Sequence, residues 1–208
     1  MPRICLLLQI IFILLAVATT AGARSPEVGI IGLIDRANNT YLEYPHGLGL
    51  YLFQPVSQKV KLTLEFDYLT CESNDNAYDY KRSATVYLIN RNRIFTIETG
   101  FRHLISRSRS TFLEFGGGLC LSMIHATRRL AQSGELWSPD DAAKLGVVID
   151  IGLLVVEPKD LPLTTRFGFR HRFLAGWRGT HIPESHPIFD DPITTTEVSL
   201  AIGYRFGR

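Results

Sequence analysis

Val60-Lys61-Leu62-Thr63-Leu64-Glu65-Phe66-Asp67-Tyr68 alternates apolar and polar residues at every step. Successive side chains of a strand point to opposite faces, so Val60, Leu62, Leu64, Phe66 and Tyr68 form one face and Lys61, Thr63, Glu65 and Asp67 the other. The period of two returns at Leu145, Val147, Ile149, Ile151, Leu153 and Val155, which alternate with Gly146, Asp150 and Gly152. It returns again where Phe167, Phe169, His171 and Phe173 alternate with Arg166, Gly168, Arg170 and Arg172. Near the C-terminus Val198, Leu200, Ile202, Tyr204 and Phe206 alternate with Glu197, Ser199, Ala201, Gly203 and Arg205. Beyond the first 23 residues the one helical signal is Ser138-Pro139-Asp140-Asp141, a short turn with serine as cap and proline in the first helical position.

Extending this reading along the chain predicts eight strands, near residues 27–36, 46–54, 59–70, 84–104, 111–125, 143–156, 163–176 and 194–206. The span 84–104 is long enough for two strands divided at Asn90-Arg91-Asn92-Arg93. The face parity of Tyr87 and Ile89 nonetheless continues into Phe95 and Ile97, as one long strand requires. Connections alternate in length. Gln54 to Gln58, Ser106 to Ser110 and Glu157 to Leu161 are tight, whereas the segments near 37–45, 71–83, 126–142 and 177–193 are longer and polar. Tight turns on one rim and long loops on the other describe an all-β, eight-stranded antiparallel up-and-down barrel.

The chain has 208 residues, 46% apolar and 20% charged, with a net charge of +2, which suits one domain and argues against nucleic acid as a partner. Its apolar residues are concentrated at the start, where Arg3 precedes the run from Ile4 to Val17 and the small triplet Ala21-Gly22-Ala23. This order predicts a secretory signal peptide over residues 1–23, and a barrel domain over 24–208. A run of about 14 apolar residues is short for a helical membrane anchor, which needs roughly 20. Cys71, placed in a polar loop, and Cys120, inside a strand pattern, imply no disulfide framework. His181 and His186 lie in a polar loop with Glu184, Asp190 and Asp191, a cluster read as solvated, so no metal site and no cofactor are expected. Gly116-Gly117-Gly118 is flanked by strand pattern and opens no helix, so it is not a phosphate loop.

Alternation alone does not say which face is inside. A soluble lipocalin-like carrier of a hydrophobic ligand would place the apolar face inward, and a transmembrane barrel would place it outward. Three features favour the membrane. The polar face carries both signs of charge, with Glu65, Asp67, Glu98, Glu114, Asp150 and Glu197 against Lys61, Arg102, Arg166, Arg170, Arg172 and Arg205. An eight-stranded barrel has a lumen that side chains just fill, where opposite charges removed from water pair. Large aromatics, Phe167, Trp177, Tyr204 and Phe206, stand on the apolar face near strand ends, as in interfacial girdles. The chain also ends on a strand, without the terminal helix or the early Gly-x-Trp of lipocalins.

Ala201-Ile202-Gly203-Tyr204-Arg205-Phe206 resembles the closing strand of small OmpA/OmpX-like outer-membrane proteins, as do the Gly-rich aromatic strands from Gly100 to His103 and from Phe112 to Gly118. That resemblance implies residence in the outer membrane of a diderm bacterium, contact with its lipids and lipopolysaccharide, and insertion by an assembly machinery that reads the terminal aromatic residue. A second stretch, His171-Arg172-Phe173-Leu174-Ala175-Gly176, is similar to the His-x-Ser-Asn-Ala-Gly segment of the PagL-like lipid A deacylases in His171, Ala175 and Gly176. There the resemblance implies His171 as general base and Glu197 or Glu184 as the acid that orients it. Phe173 occupies the position of the serine nucleophile and Leu174 that of the asparagine. The expectation is therefore a non-catalytic barrel with a structural or surface-interaction role, and an acyl ester hydrolase acting on lipopolysaccharide is the alternative.

Overall fold

The computed structural model describes residues 26–38, 42, 44–79, 83–108, 110–156, 162–175 and 192–206. Its strands are β1 (Glu27–Ala37), β2 (His46–Pro55), β3 (Val60–Asp79), β4 (Ala84–Ser106), β5 (Thr111–Leu130), β6 (Leu136–Val156), β7 (Leu163–Leu174) and β8 (Ile193–Arg205). Each pairs antiparallel with its neighbours in sequence, and β8 returns to β1 to close the ring. Followed once around the wall, the register leads from Phe95 of β4 through Tyr68, Leu48, Gly32, Leu200, Phe167, Leu153 and Leu113 to Ile105 of β4. The strands are thus staggered by ten residues per circuit. At ~3.3 Å rise per residue and ~4.8 Å between neighbours, this stagger tilts the strands by roughly 40°.

The residues 84–106 form one strand. Two of the expected loops are instead largely strand. Residues 71–79 of β3 stay in register with 84–92 of β4, and β5 and β6 remain paired up to Arg129 and Leu136. Ser138 to Asp141, expected as a helical turn, belong to β6. In β3 the apolar half of the alternation lapses here: Glu72, Asn74 and Asn76 point outward and Ser73 and Asp75 inward. Polar composition then reads as a loop, although the cross-strand register is unbroken. Pro139 is accommodated because β7 ends opposite Gly146 and this part of β6 is an edge. Since β2 begins opposite Thr70 and β7 ends opposite Gly146, among the described residues β3–β6 are the strands that continue past the rim, as a sheet. At about 2.5 Å of height per residue for this tilt, β3 and β4 rise roughly 20 Å beyond the point where β2 begins.

The two faces of the wall have inverted polarity. Ile34 and Leu48 are each 64% exposed, and Ile149, Val198 and Ile202 each 60%, within a continuous apolar outer surface. Glu65, Arg102, Glu114, Lys144 and Glu197 are fully buried inside. A soluble carrier needs the reverse, so the lipocalin-like alternative fails: water would meet the apolar face and the cavity would be charged. Among the described residues no helix is long and apolar enough to cross a membrane.

Inward-facing small residues make room for the large charged ones. Gly116 stands opposite Asp150, and a Cβ at Gly116 would lie 2.6 to 2.8 Å from the Asp150 carboxyl atoms. That carboxylate cannot swing aside, because Arg102 and Arg166 hold it at 3.3 and 3.5 Å. Gly116→Val is expected to lower the yield of refolded barrel at least severalfold, read as the heat-modifiable band on a gel, while Gly32→Ala on the outer face, where a Cβ would meet nothing nearer than 3.8 Å, should refold normally.

Candidate functional site

The lumen holds a continuous ionic network. Arg102 on β4 pairs with Glu65 on β3 and lies 3.7 Å from Glu114 on β5 and 3.3 Å from Asp150 on β6. Arg166 on β7 reaches Glu114 at 2.6 Å and Asp150 at 3.5 Å. Arg170, also on β7, pairs with Glu65 and contacts Asp67 at 3.3 Å, Glu98 at 3.4 Å and Glu197 at 3.3 Å. Arg172 binds Asp67 at 2.6 Å and Glu197 at 2.7 Å, with Glu98 at 3.4 Å and Asp35 at 3.8 Å. In a ring of eight, β3 and β7 are diametrically opposed, so the Arg170 and Arg172 contacts to Glu65 and Asp67 span the full width of the lumen.

Toward the short-turn end, Glu27 gathers four partners. Its Oε1 accepts hydrogen bonds from the Tyr51 hydroxyl at 3.0 Å and the Thr164 hydroxyl at 2.7 Å, and its Oε2 faces Lys61 at 3.6 Å and Arg205 at 3.3 Å. Arg205 sits at the mouth, 33% exposed. Above Glu27 the buried Phe53 ring has Lys61, Arg102 and Arg166 at 5.3, 4.8 and 5.7 Å from its centroid, where the ring face offsets positive charge. Toward the long-loop end, Leu42, Leu69, Ile94, Ile124, Leu174 and Ile193 form an apolar layer over the network. The cavity they line measures about 10 Å³, room for roughly one water.

All ten residues of the charge cluster read from the sequence, Glu65, Asp67, Glu98, Arg102, Glu114, Asp150, Arg166, Arg170, Arg172 and Arg205, therefore face the lumen. Glu27, Asp35, Lys144, Tyr51 and Phe53 join them and were missed. Face parity was the available signal, since Glu27 and Asp35 alternate with Val28 and Ile34, and Lys144 with Leu145. Cys71 and Cys120 are buried and unbridged, and Cys71 lies within β3 rather than in a loop.

The structure does not bring His171 and Glu197 together. His171 is opposite Thr196 and faces outward, whereas Glu197 is opposite Arg170 and faces the lumen. The two are one residue apart in register, which in a strand places them on opposite sides of the wall. Glu197 is bound to Arg172 and Arg170, so it does not orient the imidazole. His171 Nδ1 instead shares a 2.9 Å hydrogen bond with the Thr196 hydroxyl, and its ring packs edge-on against Phe173 at 4.4 Å. Glu184, Gly176, Trp177, His181, His186, Asp190 and Asp191 lie outside the described residues. Among the described residues no three metal-ligating side chains converge.

No family model and no curated protein matches the sequence. Solved structures do match in shape. Ail, the attachment invasion locus protein of Yersinia pestis, solved with the heparin analogue sucrose octasulfate, aligns at TM-score 0.53 and 12% identity over 88% of this chain and 99% of its own. Neisserial surface protein A aligns at 0.55 and 11% over 87% and 97%. The outer membrane protein OprG of Pseudomonas aeruginosa aligns at 0.53 and 8% over 89% and 97%. The fold is that of the small outer-membrane β-barrels. For such a barrel the inverted polarity seen here is the working arrangement: an apolar outer band meets lipid, and a polar interior is satisfied within the protein. The Tyr204 and Phe206 rings, edge-on at 5.1 Å near the short-turn rim, occupy the place of an interfacial girdle in an outer-membrane barrel.

Proposed function

We propose that this chain is an outer-membrane barrel closed to solutes, whose role is structural or interactive at the cell surface and is carried by its outer face and the raised β3–β6 sheet, without catalysis. The carrying observation is the occluded lumen, crossed wall to wall by Arg170 and Arg172 and capped by an apolar layer. On this reading residues 1–23 direct export and are removed, and the assembly machinery reads the last strand up to Phe206. The barrel domain, residues 24–208, sits among outer-membrane lipids with lipopolysaccharide around its outer rim. Short turns mark the periplasmic side and the raised sheet the outer side. Ail, of similar fold, was solved with a heparin analogue bound, which supports a role exercised on the outer surface. The hydrolase alternative has no support in the described geometry, because among the described residues no acid stands beside the outward His171, and Phe173 replaces the serine.

Single-channel recording in planar bilayers tests the proposal. The refolded mature chain is expected to give no steady openings at 100 mV in molar salt. Stable ohmic openings from the monodisperse protein would overturn it.

A further inference from the structure

We propose that the outward row Arg36, Thr196 and His171 binds a phosphate of lipid A, the membrane anchor of lipopolysaccharide. The inference rests on the outer-membrane reading above and names a lipid partner for that outer face.

The three residues are direct cross-strand neighbours on β1, β8 and β7: Arg36 is opposite Thr196, and Thr196 is opposite His171. Immediately below them on the same strands stand Ile34, Val198 and Phe169, all exposed and apolar. The row is thus the first polar one met along these strands toward the long-connection end, with the exposed Phe173 one outward position further on β7. Arg36 is exposed and makes no ion pair among the described residues; its guanidinium lies 6.0 Å from the Tyr44 ring. The adjacent acids, Asp35 and Glu197, face the lumen, where Arg172 holds both. Of the other outward cations, Arg91 pairs with Glu72 at 2.7 Å, whereas Arg93 on β4 is exposed and, like Arg36, makes no ion pair among the described residues.

A guanidinium at the edge of hydrocarbon is poorly solvated and gains most from an anion with two oxygens in its plane, which a phosphate supplies. Beside it, Thr196 and His171 engage each other through Nδ1, leaving Nε2 as a further hydrogen-bonding atom on the same row. An imidazole and a hydroxyl both donate and accept, so they suit a sugar hydroxyl next to the phosphate. The row lies at the long-connection end of the barrel, the end that faces outward. There the outer leaflet presents lipid A, whose phosphates sit on sugars at the hydrocarbon boundary.

The test uses the mature chain refolded in lauryldimethylamine oxide micelles, which carry no phosphate, with folding established by heat-modifiable mobility before any titration. Lipid A, dephosphorylated lipid A and phosphatidylglycerol are each titrated while the His171 ring and Thr196 methyl resonances are followed. Lipid A is expected to shift both and to bind at least tenfold more tightly than either comparator. Arg36→Ala should weaken lipid A binding about tenfold, the worth of one charge-assisted contact, and His171→Gln and Thr196→Val severalfold, with mobility unchanged. Equal binding of dephosphorylated lipid A or phosphatidylglycerol, or an unchanged affinity in Arg36→Ala, would overturn this inference alone. A chain that stays soluble and takes up no detergent would overturn the outer-membrane reading as well.

Discussion

Arg170→Met is expected to destabilise the folded barrel by about 3–5 kcal/mol, measured by reversible urea unfolding in micelles or bilayers, a large fraction of the about 5–15 kcal/mol that holds a native domain together. Arg170 is the point at which four strands meet in the lumen, through Glu65 and Asp67 on β3, Glu98 on β4 and Glu197 on β8. Removing it leaves several carboxylates facing one another without water, and a buried uncompensated charge costs more than the pair contributed. The same reasoning gives a sharper expectation for the double variant. Arg170→Met with Glu65→Gln removes one charge of each sign, so it should recover part of the loss, whereas Arg170→Lys should recover little. A single ammonium cannot reach β3, β4 and β8 together as the planar guanidinium does. Equal stability of Arg170→Met and the parent chain would mean that the network does not hold the wall.

The second large effect is expected at Glu27, the carboxylate that ties five strands at the closing seam. Glu27 is opposite Arg205 in the β1–β8 register, and its oxygens also engage Tyr51 of β2, Lys61 of β3 and Thr164 of β7. Hydrogen bonds to a charged group are each worth about 1.5–3 kcal/mol, so Glu27→Ala is expected to lose about 3 kcal/mol or more. The loss should fall on closure of the ring: the fraction of heat-modifiable, folded protein after refolding should drop several times further than for an outward change such as Ile30→Ala. Glu27→Gln keeps the shape and an acceptor for Tyr51 and Thr164 but not the charge that faces Lys61 and Arg205, and should lie between the two. Parent-like refolding of Glu27→Ala would show that the seam closes on backbone pairing alone.

The strands inside the membrane were legible because lipid imposes a rule on them. From Val60 to Tyr68 every outward residue must be apolar and every inward one polar or small, so parity discloses both the strand and its faces. The same parity placed Arg166, Arg170 and Arg172 in the lumen before any contact was known. Above the rim the rule lapses. Glu72, Asn74 and Asn76 meet water on a strand whose evidence is its hydrogen-bonded register with β4, and the local sequence shows only polarity. The partners within the lumen were not legible either, since they depend on the ten-residue stagger, which sets β7 arginines level with β3 carboxylates across the barrel. His171 illustrates both sides of this. Its outward placement follows from its neighbours Phe169 and Phe173, but the neighbour that occupies its Nδ1, Thr196, follows only from the pairing of β7 with β8.

The central claim is that the apolar outer face lies in lipid and the charged face is sealed inside, with β3 passing out of the membrane above Tyr68. Nitroxide labels at single cysteines along β3, in a Cys71→Ser, Cys120→Ser background reconstituted in bilayers, test it most directly. The account predicts that positions 62, 64 and 66 are relaxed by oxygen dissolved in lipid, that positions 74 and 76 are relaxed by a water-soluble nickel chelate, and that position 63 is reached by neither. Nickel access at 62, 64 and 66 equal to that at 74 and 76 would contradict it.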